Sequence, residues 1–338
     1  MDREDAGAKQ AQSFAYEIRK DSAVIWRCFS RDTRAEIPET LGGFPVRELM
    51  PYAFSAHMEE AELRRKIETG NVVLYRPQAA AGELFTDVPA LCGNQLEEIL
   101  LPPAMRRVGR YCFYDCKNLV RVEFHGMLTD WGSGVFTRCH QVRELRVWAD
   151  EQECSYLKDV LDELPETLEV EYIIQGQRAK LMFPEFYEEG VENTPARILE
   201  THVHGSGISY RNCFQGRRFD FAQYDTLFPY AKALESEEVV ARMVTGRLRY
   251  PEGLTPRARQ QYEDYVAEHD IALGKWMMEQ KDLEGLQWLL NLREQEAKLV
   301  DELVVCASKQ HDAEAVSYLM NCRRVSGQGH GARRRMEL

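Results

Sequence analysis

Apolar residues recur at a fixed interval in the centre of the chain, between residues 93 and 148. The interval is 23 residues, and each repeat has the spacing L-x-x-I-x-L. The recurring positions are Leu96, Ile99 and Leu101, then Leu119, Val122 and Phe124, and then Val142, Leu145 and Val147. A period in the twenties with this spacing predicts one strand and one turn per coil of a solenoid. The side chains expected to form a ladder on adjacent parallel strands are Ile99, Val122, Leu145 and Leu168.

The pattern predicts one further coil on each side of these repeats. Leu49–Phe54 has the same spacing as Val108–Phe113, which indicates an earlier coil. A last coil is expected at Leu168, and a helical pattern at Glu153–Leu164 replaces the turn that would precede it. Because Pro165 ends that helix, we expect the last coil to cover the core at the end of the array.

Two further elements are predicted beside the coils. Phe14–Ile18 and Val24–Trp26 alternate around a turn, which predicts a β-hairpin that caps the open end of the solenoid. Residues 55–90 interrupt the period, with a helical pattern at His57–Glu68 and a strand pattern at Val72–Tyr75. We interpret this segment as an insertion on one edge of the solenoid, either a stabilising buttress or a functional loop.

The turns between the predicted strands carry a specific motif. It reads Arg110-Tyr-Cys-Phe113-x-x-Cys116 in one coil and Val135-Phe136-x-x-Cys139 in the next, and the preceding strands end in Ile37-Pro38 and Leu101-Pro102. These features resemble the BspA-like leucine-rich-repeat family, in which the strand ends in proline and an Ala-Phe-x-x-Cys turn follows. The resemblance covers residues 14–172 and implies a curved parallel solenoid used for binding.

Cys116 and Cys139 occupy equivalent positions of that motif, so they are expected to stack about 4.8 Å apart along the coil axis. A disulfide there would be strained, because neither the Cα spacing nor the Cβ direction is set for one. We therefore expect two buried thiols that donate weak hydrogen bonds to turn carbonyls.

The second half of the chain follows other patterns. Residues 173–235 show no period and are rich in Phe and Tyr, which predicts a packed junction between two halves. Helical patterns follow from Ser236, and the spacing of Asp282–Leu290 recurs 30 residues later at Asp312–Met320. Paired helices at this period resemble ankyrin-type repeats; a generic array of helical hairpins is the alternative. The predicted segments are a disordered start at 1–13, a solenoid at 14–172 with the insertion 55–90, a junction at 173–235, a helical array at 236–325 and a flexible tail at 326–338.

Composition restricts the function. The formal net charge of −12 argues against nucleic acid and against an anionic membrane surface as partners. The first thirteen residues have no apolar h-region, and no run of eighteen apolar residues occurs, so neither a secretory signal nor a transmembrane helix is expected. Nine cysteines without a C-x-x-C pair or zinc-ligand spacing favour reduced thiols and a cytoplasmic location.

Charged side chains alternate with the inward positions of the predicted strands and therefore point outward. The candidate binding residues on this face are Glu98, Arg121, Glu123, Glu144 and Arg146. In a 23-residue register, Arg121 would lie between two glutamates, and Arg146 would lie between Glu123 and Glu169. Such pairs contribute roughly 0.2–1 kcal/mol each. Both a ligand-binding sheet and a solvated charge ladder that neutralises itself fit this pattern.

Residues 201–213 contain the densest set of chemically active side chains. His202 and His204 can share a metal if the backbone is extended, and Cys213 could add a soft ligand. The intervening glycines could let backbone N–H groups approach an anion, with Arg211 completing the charge and Tyr210 beside it. The spacing matches no known metal motif, so the alternative is a loop whose histidines hydrogen-bond within a packed core.

The sequence thus predicts an α+β chain, a short parallel leucine-rich-repeat-like solenoid followed by an ankyrin-like array of helical pairs. The expected function is a non-enzymatic protein-interaction module or scaffold that binds a protein partner, with no nucleic acid and no membrane. No cofactor is expected, since no Walker loop, G-x-G-x-x-G or H-E-x-x-H motif occurs. Two alternatives are a metal- or anion-dependent site, enzymatic in nature, on the 201–213 loop, and an exported adhesin-like surface protein such as the family resemblance implies.

Overall fold

The computed structural model describes residues 12–76, 88–193 and 198–334. The chain divides into two compact units, one ending at Tyr230 and the other beginning at Ala231. Most of the predicted disordered start, residues 77–87 of the predicted insertion and the last four residues of the predicted tail lie outside the described residues.

The first unit contains strands and short helices. Its strands are β1 (Ser13–Arg19), β2 (Ser22–Phe29), β3 (Arg34–Glu36), β4 (Thr40–Leu41), β5 (Phe44–Leu49), β6 (Val73–Tyr75), β7 (Glu98–Leu100), β8 (Arg107–Val108), β9 (Arg121–His125), β10 (Asp130–Trp131), β11 (Glu144–Trp148), β12 (Leu168–Ile174), β13 (Gln177–Phe183), β14 (Tyr187–Asn193), β15 (Ile198–His204), β16 (Phe214–Gln215) and β17 (Arg218–Phe219). Its helices are α1 (Glu60–Glu68), α2 (Leu157–Glu163), α3 (Gly207–Arg211) and α4 (Phe221–Thr226), and α5 (Phe228–Leu234) spans the boundary.

The recurring apolar residues form a parallel sheet in the order β3, β7, β9, β11, β12, with β13 antiparallel at the edge. Ile99 pairs with Val122, and Val122 pairs with Leu145, so the predicted ladder is confirmed at these positions. Ala35 extends it on β3 beside Ile99. These side chains are buried, and burial stabilises the folded state by about 25 cal/mol for each Å² of apolar surface removed from water.

The last step of the ladder differs from the prediction by two residues. Leu145 pairs with Val170, a spacing of 25 (170 − 145), and not with Leu168. Helix α2 and the segment around Pro165 replace the turn of a regular coil, and this connection is two residues longer. Because side chains alternate with a period of two, Leu168 and Val170 both remain buried despite the shift.

A second sheet runs in the order β10, β8, β5, β2, β1, β6. Leu49 pairs with Val108, and Val108 pairs with Trp131, so the earlier coil lies beside the next one as predicted. β1 and β2 form the expected antiparallel hairpin, which ends the parallel part of this sheet. The insertion contains α1 and β6, and β6 pairs with the outer strand of the hairpin.

Backbone hydrogen bonds connect the turn of each coil to the next turn. The N–H groups of Tyr111 and Phe113 donate to the carbonyls of Ser133 and Val135. Where a further coil is missing, the carboxylate of Glu163 on α2 accepts from the N–H groups of Gly134 (3.0 Å) and Phe136 (2.9 Å). A side chain thus supplies the acceptors at the end of the array.

The predicted buried thiols occupy these turns. Cys116 Sγ donates to the carbonyl of Phe54 at 3.3 Å, and Cys139 Sγ donates to the carbonyl of Phe113 at 2.9 Å. Burial raises the pKa of Cys139 to about 12, so this thiol is protonated at neutral pH. All nine cysteines lie within the described residues as free thiols.

Residues 173–230 are more regular than the sequence predicts. The segment continues β12, adds β13, forms the hairpins β14–β15 and β16–β17, and belongs to the first unit. Its aromatic rings pack on one another, with Phe219 within 4.9–6.1 Å of Phe183, Phe214, Phe221 and Tyr224 by ring centroid. The rings therefore extend the core of the first unit beyond the last parallel strand, and the junction between two halves stays a prediction.

The second unit is helical. Its helices are α6 (Glu237–Arg249), α7 (Pro256–Glu279), α8 (Leu283–Leu292), α9 (Ala297–Lys309) and α10 (Ala313–Arg334). α7 is kinked at His269, whose φ and ψ are not helical. α10 includes residues 326–334, for which the sequence predicts a flexible tail. Across the residues described, no helix is both long and apolar enough to cross a membrane.

The 30-residue repeat of the second unit corresponds to two equivalent turns. Lys281 and His311 adopt positive φ (54° and 56°), and each follows the end of a helix. Asp282 and Asp312 come next and cap α8 and α10, accepting from Gly285 (2.8 Å) and Ala315 (3.0 Å). An aspartate at the N-cap satisfies an N–H group that the helix itself leaves unpaired. The repeat in sequence is therefore a repeat in backbone geometry.

Replacing the terminal acceptor tests this account of the array's end. Glu163→Gln leaves one carbonyl oxygen for two backbone N–H groups, so we expect the free energy of unfolding to fall by about 1–3 kcal/mol. Urea denaturation monitored by circular dichroism measures the change. Asp162→Asn is the matched control, since the Asp162 side chain is 56% exposed and contacts only Lys158 among the partners described. Equal losses in the two variants would contradict the role of Glu163.

Candidate interaction surface

The parallel sheet has one face in the core and one face outside it. On β9, Val122 and Phe124 point inward, and the alternating residues Arg121, Glu123 and His125 point outward. We call the outward side the outer face, and it consists of three rows. The rows are Arg34, Glu98, Arg121, Glu144 and Glu169; then Glu36, Leu100, Glu123, Arg146, Glu171 and Lys180; then His125, Trp148, Ile173 and Arg178.

Glu123 lies at the centre of a network of ion pairs on the outer face. Arg121 Nη2 lies 2.8 Å from Glu123 Oε1, and Arg146 Nη1 lies 3.4 Å from the same oxygen. The arginines also reach Glu144 (3.8 Å) and Glu171 (2.7 Å) on neighbouring strands. Only 8% of Glu123 is exposed, because the two guanidinium groups cover it. The predicted charges therefore come together, and they pair with one another.

One predicted pair is wrong. Glu169 does not lie beside Arg146, because the two-residue shift at β12 places Glu169 in register with Glu144 and brings Glu171 to Arg146. The Glu169 carboxylate instead lies 3.1 Å from Lys180 Nζ on β13. Lys180 on the antiparallel edge strand therefore pairs with Glu169, where a regular 23-residue period would have placed Arg146 of β11.

The outer face is close to neutral. Glu98 lies beside Arg121 in register and 3.8 Å from the guanidinium of Arg34, which begins the first row. The three rows contain six carboxylates and five basic side chains, a formal charge of −1 (5 − 6). The chain as a whole carries −12. The excess negative charge therefore lies elsewhere, and this face does not repel an acidic partner strongly.

The third row is aromatic and apolar. The rings of His125 and Trp148 stack with centroids 4.3 Å apart and planes 14° from parallel, and Ile173 lies beside Trp148 in register. Partial burial lowers the pKa of His125, so its ring is neutral at pH 7. The candidate residues taken from the sequence end at Glu123 and Arg146, so this row was not predicted. One further step along each strand would have found it.

The predicted metal ligands belong to two different parts of the first unit. His202 and His204 lie on β15, where His204 Nε2 is 3.1 Å from Glu189 and its ring stacks on Tyr187. Cys213 is buried after α3, and its thiol donates to the carbonyl of Ser209 at 3.5 Å. Burial raises the pKa of Cys213 to about 12, which disfavours the thiolate that a metal requires. Among the residues that the structure describes, no group of three His, Cys, Asp or Glu side chains could hold a metal ion.

Arg211 and Tyr210 are buried, which opposes the prediction that they bind a ligand. Arg211 is 2% exposed, and Tyr210 is fully buried. The guanidinium donates to five backbone carbonyls on either side of it. They belong to Leu161 (3.2 Å), Leu164 (2.8 Å from Nη2), Glu166 (2.7 Å), Pro184 and Gly207 (3.2 Å). Burial lowers the pKa of Arg211 to about 10, so it stays charged at pH 7 while holding α2, α3 and the end of β13 together.

Comparison with known proteins identifies part of the first unit. Residues 89–157 match a family model described as the BspA type leucine rich repeat region, in six copies. Among solved structures, a crystal structure of a T. pallidum leucine rich repeat protein is similar to part of the chain, with 18% identity and a TM-score of 0.20. That match covers 39% of this chain and 68% of the other. No curated protein matches the chain.

The repeat match agrees with the geometry described above. Residues 89–157 include β7, β9 and β11, which are the strands that carry the 23-residue ladder. The chain is α+β, with parallel strands, of which β7, β9 and β11 lie in the matched stretch, and a separate group of helices. Leucine-rich-repeat domains generally mediate protein–protein interactions, because stacked repeats give an extended surface.

The role of Arg211 can be measured directly. Arg211→Lys reduces five N–H donors to three, so at least two buried carbonyls lose their partner, and we expect unfolding to become about 2–4 kcal/mol easier. Arg217→Lys is the control, since Arg217 is an exposed arginine that stacks on Tyr156.

Thermal unfolding with and without inorganic phosphate separates the two hypotheses for Arg211, a structural role and an anion site. A phosphate-dependent rise in the Tm of the wild type that Arg211→Lys abolishes would restore the anion site.

Proposed function

We propose that the chain is a non-enzymatic protein-interaction module that presents the outer face of its parallel sheet to a protein partner. The observation that carries the proposal is the row His125–Trp148–Ile173 beside a network of paired charges. Trp is among the residues that contribute most to binding at protein interfaces. The paired charges around it are already fixed in position, which supports specific contacts at low entropic cost.

We further propose finer assignments for the two units. The first unit would be a short solenoid of leucine-rich repeats, and its support is the ladder from Ala35 to Val170 together with the second parallel sheet. The second unit would be an ankyrin-like pair of repeats, and its support is the equivalence of the turns at Lys281 and His311. A generic array of helical hairpins would share these turns, so the ankyrin-like assignment rests on the 30-residue spacing.

The alternative functions have less support. A metal- or anion-dependent site at residues 201–213 is opposed by the burial of Cys213 and by the engagement of Arg211 with backbone carbonyls. An exported adhesin-like role and a cytoplasmic role differ in location, which cell fractionation of the source organism decides. The net charge of −12 supports a protein partner over nucleic acid or an anionic membrane.

Removing the indole of the outer face tests the proposal. We expect Trp148→Ala to reduce the amount of partner captured from the source cells by at least about tenfold, as for an interface residue of high contribution. The control is Tyr230→Ala, which removes a 63% exposed aromatic side chain outside the outer face. Quantitative mass spectrometry of the proteins retained by each bait measures the effect. If both variants retain the same proteins in the same amounts as the wild type, the outer face is not the interaction surface.

A further inference from the structure

A cleft of about 660 Å³ lies on the turn side of the first unit, away from the outer face. Its walls come from the turn that follows β5, the turn that follows β8 and the beginning of α1. The aromatic residues that line it are Tyr52, Tyr114, His57 and Trp26, and Met50, Pro51 and Met58 complete the apolar lining. The cleft therefore joins two coils to the insertion.

The tyrosines form a cluster of partly exposed rings. Tyr52 and Tyr111 stack with ring centroids 5.5 Å apart, and Tyr114 meets both edge-on at 6.2 Å and 5.9 Å. His57 packs against the edge of Tyr114 at 5.1 Å. Such an arrangement fixes each ring through its neighbours, so the cleft presents aromatic faces at low conformational cost.

The backbone at two of these rings has a conformation that glycine would adopt more easily. Tyr52 and Tyr111 have φ of 59° and 55°, and the equivalent position of the next coil is Gly134, with φ of 65°. A side chain in this region costs about 1–2 kcal/mol. The two coils that border the cleft therefore carry tyrosine where the turn itself favours glycine, which indicates that the rings are needed.

The charges at the cleft are unpaired, in contrast to those of the outer face. Glu59 and Glu62 on one rim and Arg110 on the other line the cleft, and all three are exposed. Within the described part of the chain, none of these three side chains has an ion-pair partner. The nearby Glu60, which does not line the cleft, pairs with Arg64. The acidic rim is thus available to a basic group of a ligand.

We propose that this cleft binds an extended, proline-rich peptide segment that carries a basic residue. A polyproline II segment makes no internal hydrogen bonds and docks in aromatic-lined grooves. Proline rings pack on Tyr52 and Tyr114, the basic side chain pairs with Glu59 and Glu62, and Arg110 donates to a peptide carbonyl. The proposal goes beyond the function assigned to the outer face, because it concerns a second surface and a defined class of ligand.

A fluorescence-polarisation titration of the full chain tests the proposal. The probe is a labelled peptide with one Arg followed by repeated Pro-Pro-Ala units. One control peptide has Glu in place of Arg, and another has Gly in place of each Pro. We expect saturable binding of the Arg-Pro peptide and at least about tenfold weaker binding of both controls. A maltooligosaccharide is the competitor for the alternative that the aromatic rings stack on sugars.

Variants identify the residues that bind the probe. Tyr52→Gly suits the positive φ of that turn and so preserves the fold while removing the ring. We expect it, and Tyr114→Ala, to weaken binding at least about tenfold. Glu59→Gln with Glu62→Gln should remove the preference for Arg over Glu in the peptide, whereas Glu60→Gln should leave it unchanged.

The outcomes separate this proposal from the one for the outer face. Trp148→Ala should bind the peptide as the wild type does, because Trp148 lies on the outer face and does not line the cleft. Absence of saturable peptide binding overturns the proposal. So does binding that Tyr52→Gly and the double glutamine variant leave intact, and so does displacement by the oligosaccharide with no preference for proline.

Discussion

The first unit depends on the pairing of backbone groups between successive coils. Each parallel strand and each turn has N–H and C=O groups that find no partner within their own coil. A neighbouring coil satisfies them when its hydrogen-bonding groups are aligned with them. Tyr111 and Phe113 donate to the carbonyls of the following coil, just as Tyr52 and Phe54 donate to the carbonyls of Arg110 and Cys112. Apolar residues at a fixed interval keep the coils in this register, because any other alignment would separate both the buried side chains and the hydrogen-bonding groups.

The ends of the array need acceptors and donors from outside the repeat. Glu163 supplies two acceptors for the last turn. At one edge of the sheet, the side-chain amide of Gln12 donates to the carbonyl of Arg34 (2.6 Å) and accepts from the N–H of Glu36 (3.0 Å), both on β3. At the other edge, the Tyr224 hydroxyl accepts from the N–H of Met182 on β13 and donates to its carbonyl. These side chains occupy backbone groups of the edge strands that a further strand would otherwise use. The array therefore ends through side chains that replace a missing strand.

The repeat and the local elements beside it could be predicted from the sequence, whereas the length of an irregular connection and the long-range contacts of a side chain could not. The period places Ile99 beside Val122, since position and spacing alone determine that pair. The step from Leu145 to Val170 depends on the length of α2 and its flanks, which a period does not contain. Arg211 is another case, because four of its five acceptors lie 27 to 50 residues away along the chain. In sequence, an arginine near glycines resembles an anion site, and only the structure shows that its donors are occupied.

The outer face and the cleft differ in the free energy that a partner must supply before it can bind their charged side chains. On the outer face, a partner that bound Arg121 or Arg146 would first have to displace Glu123, and the separated ions would each lose a close partner. Because breaking a shielded pair costs more than the new contact returns unless its geometry is equally good, affinity there has to come from the aromatic row. At the cleft, Glu59, Glu62 and Arg110 have no ion-pair partner among the described residues, so a ligand that binds them breaks no such pair. Charge can therefore select a ligand at the cleft. On the outer face, the paired charges hold the strands in register and disfavour partners whose charges do not complement them.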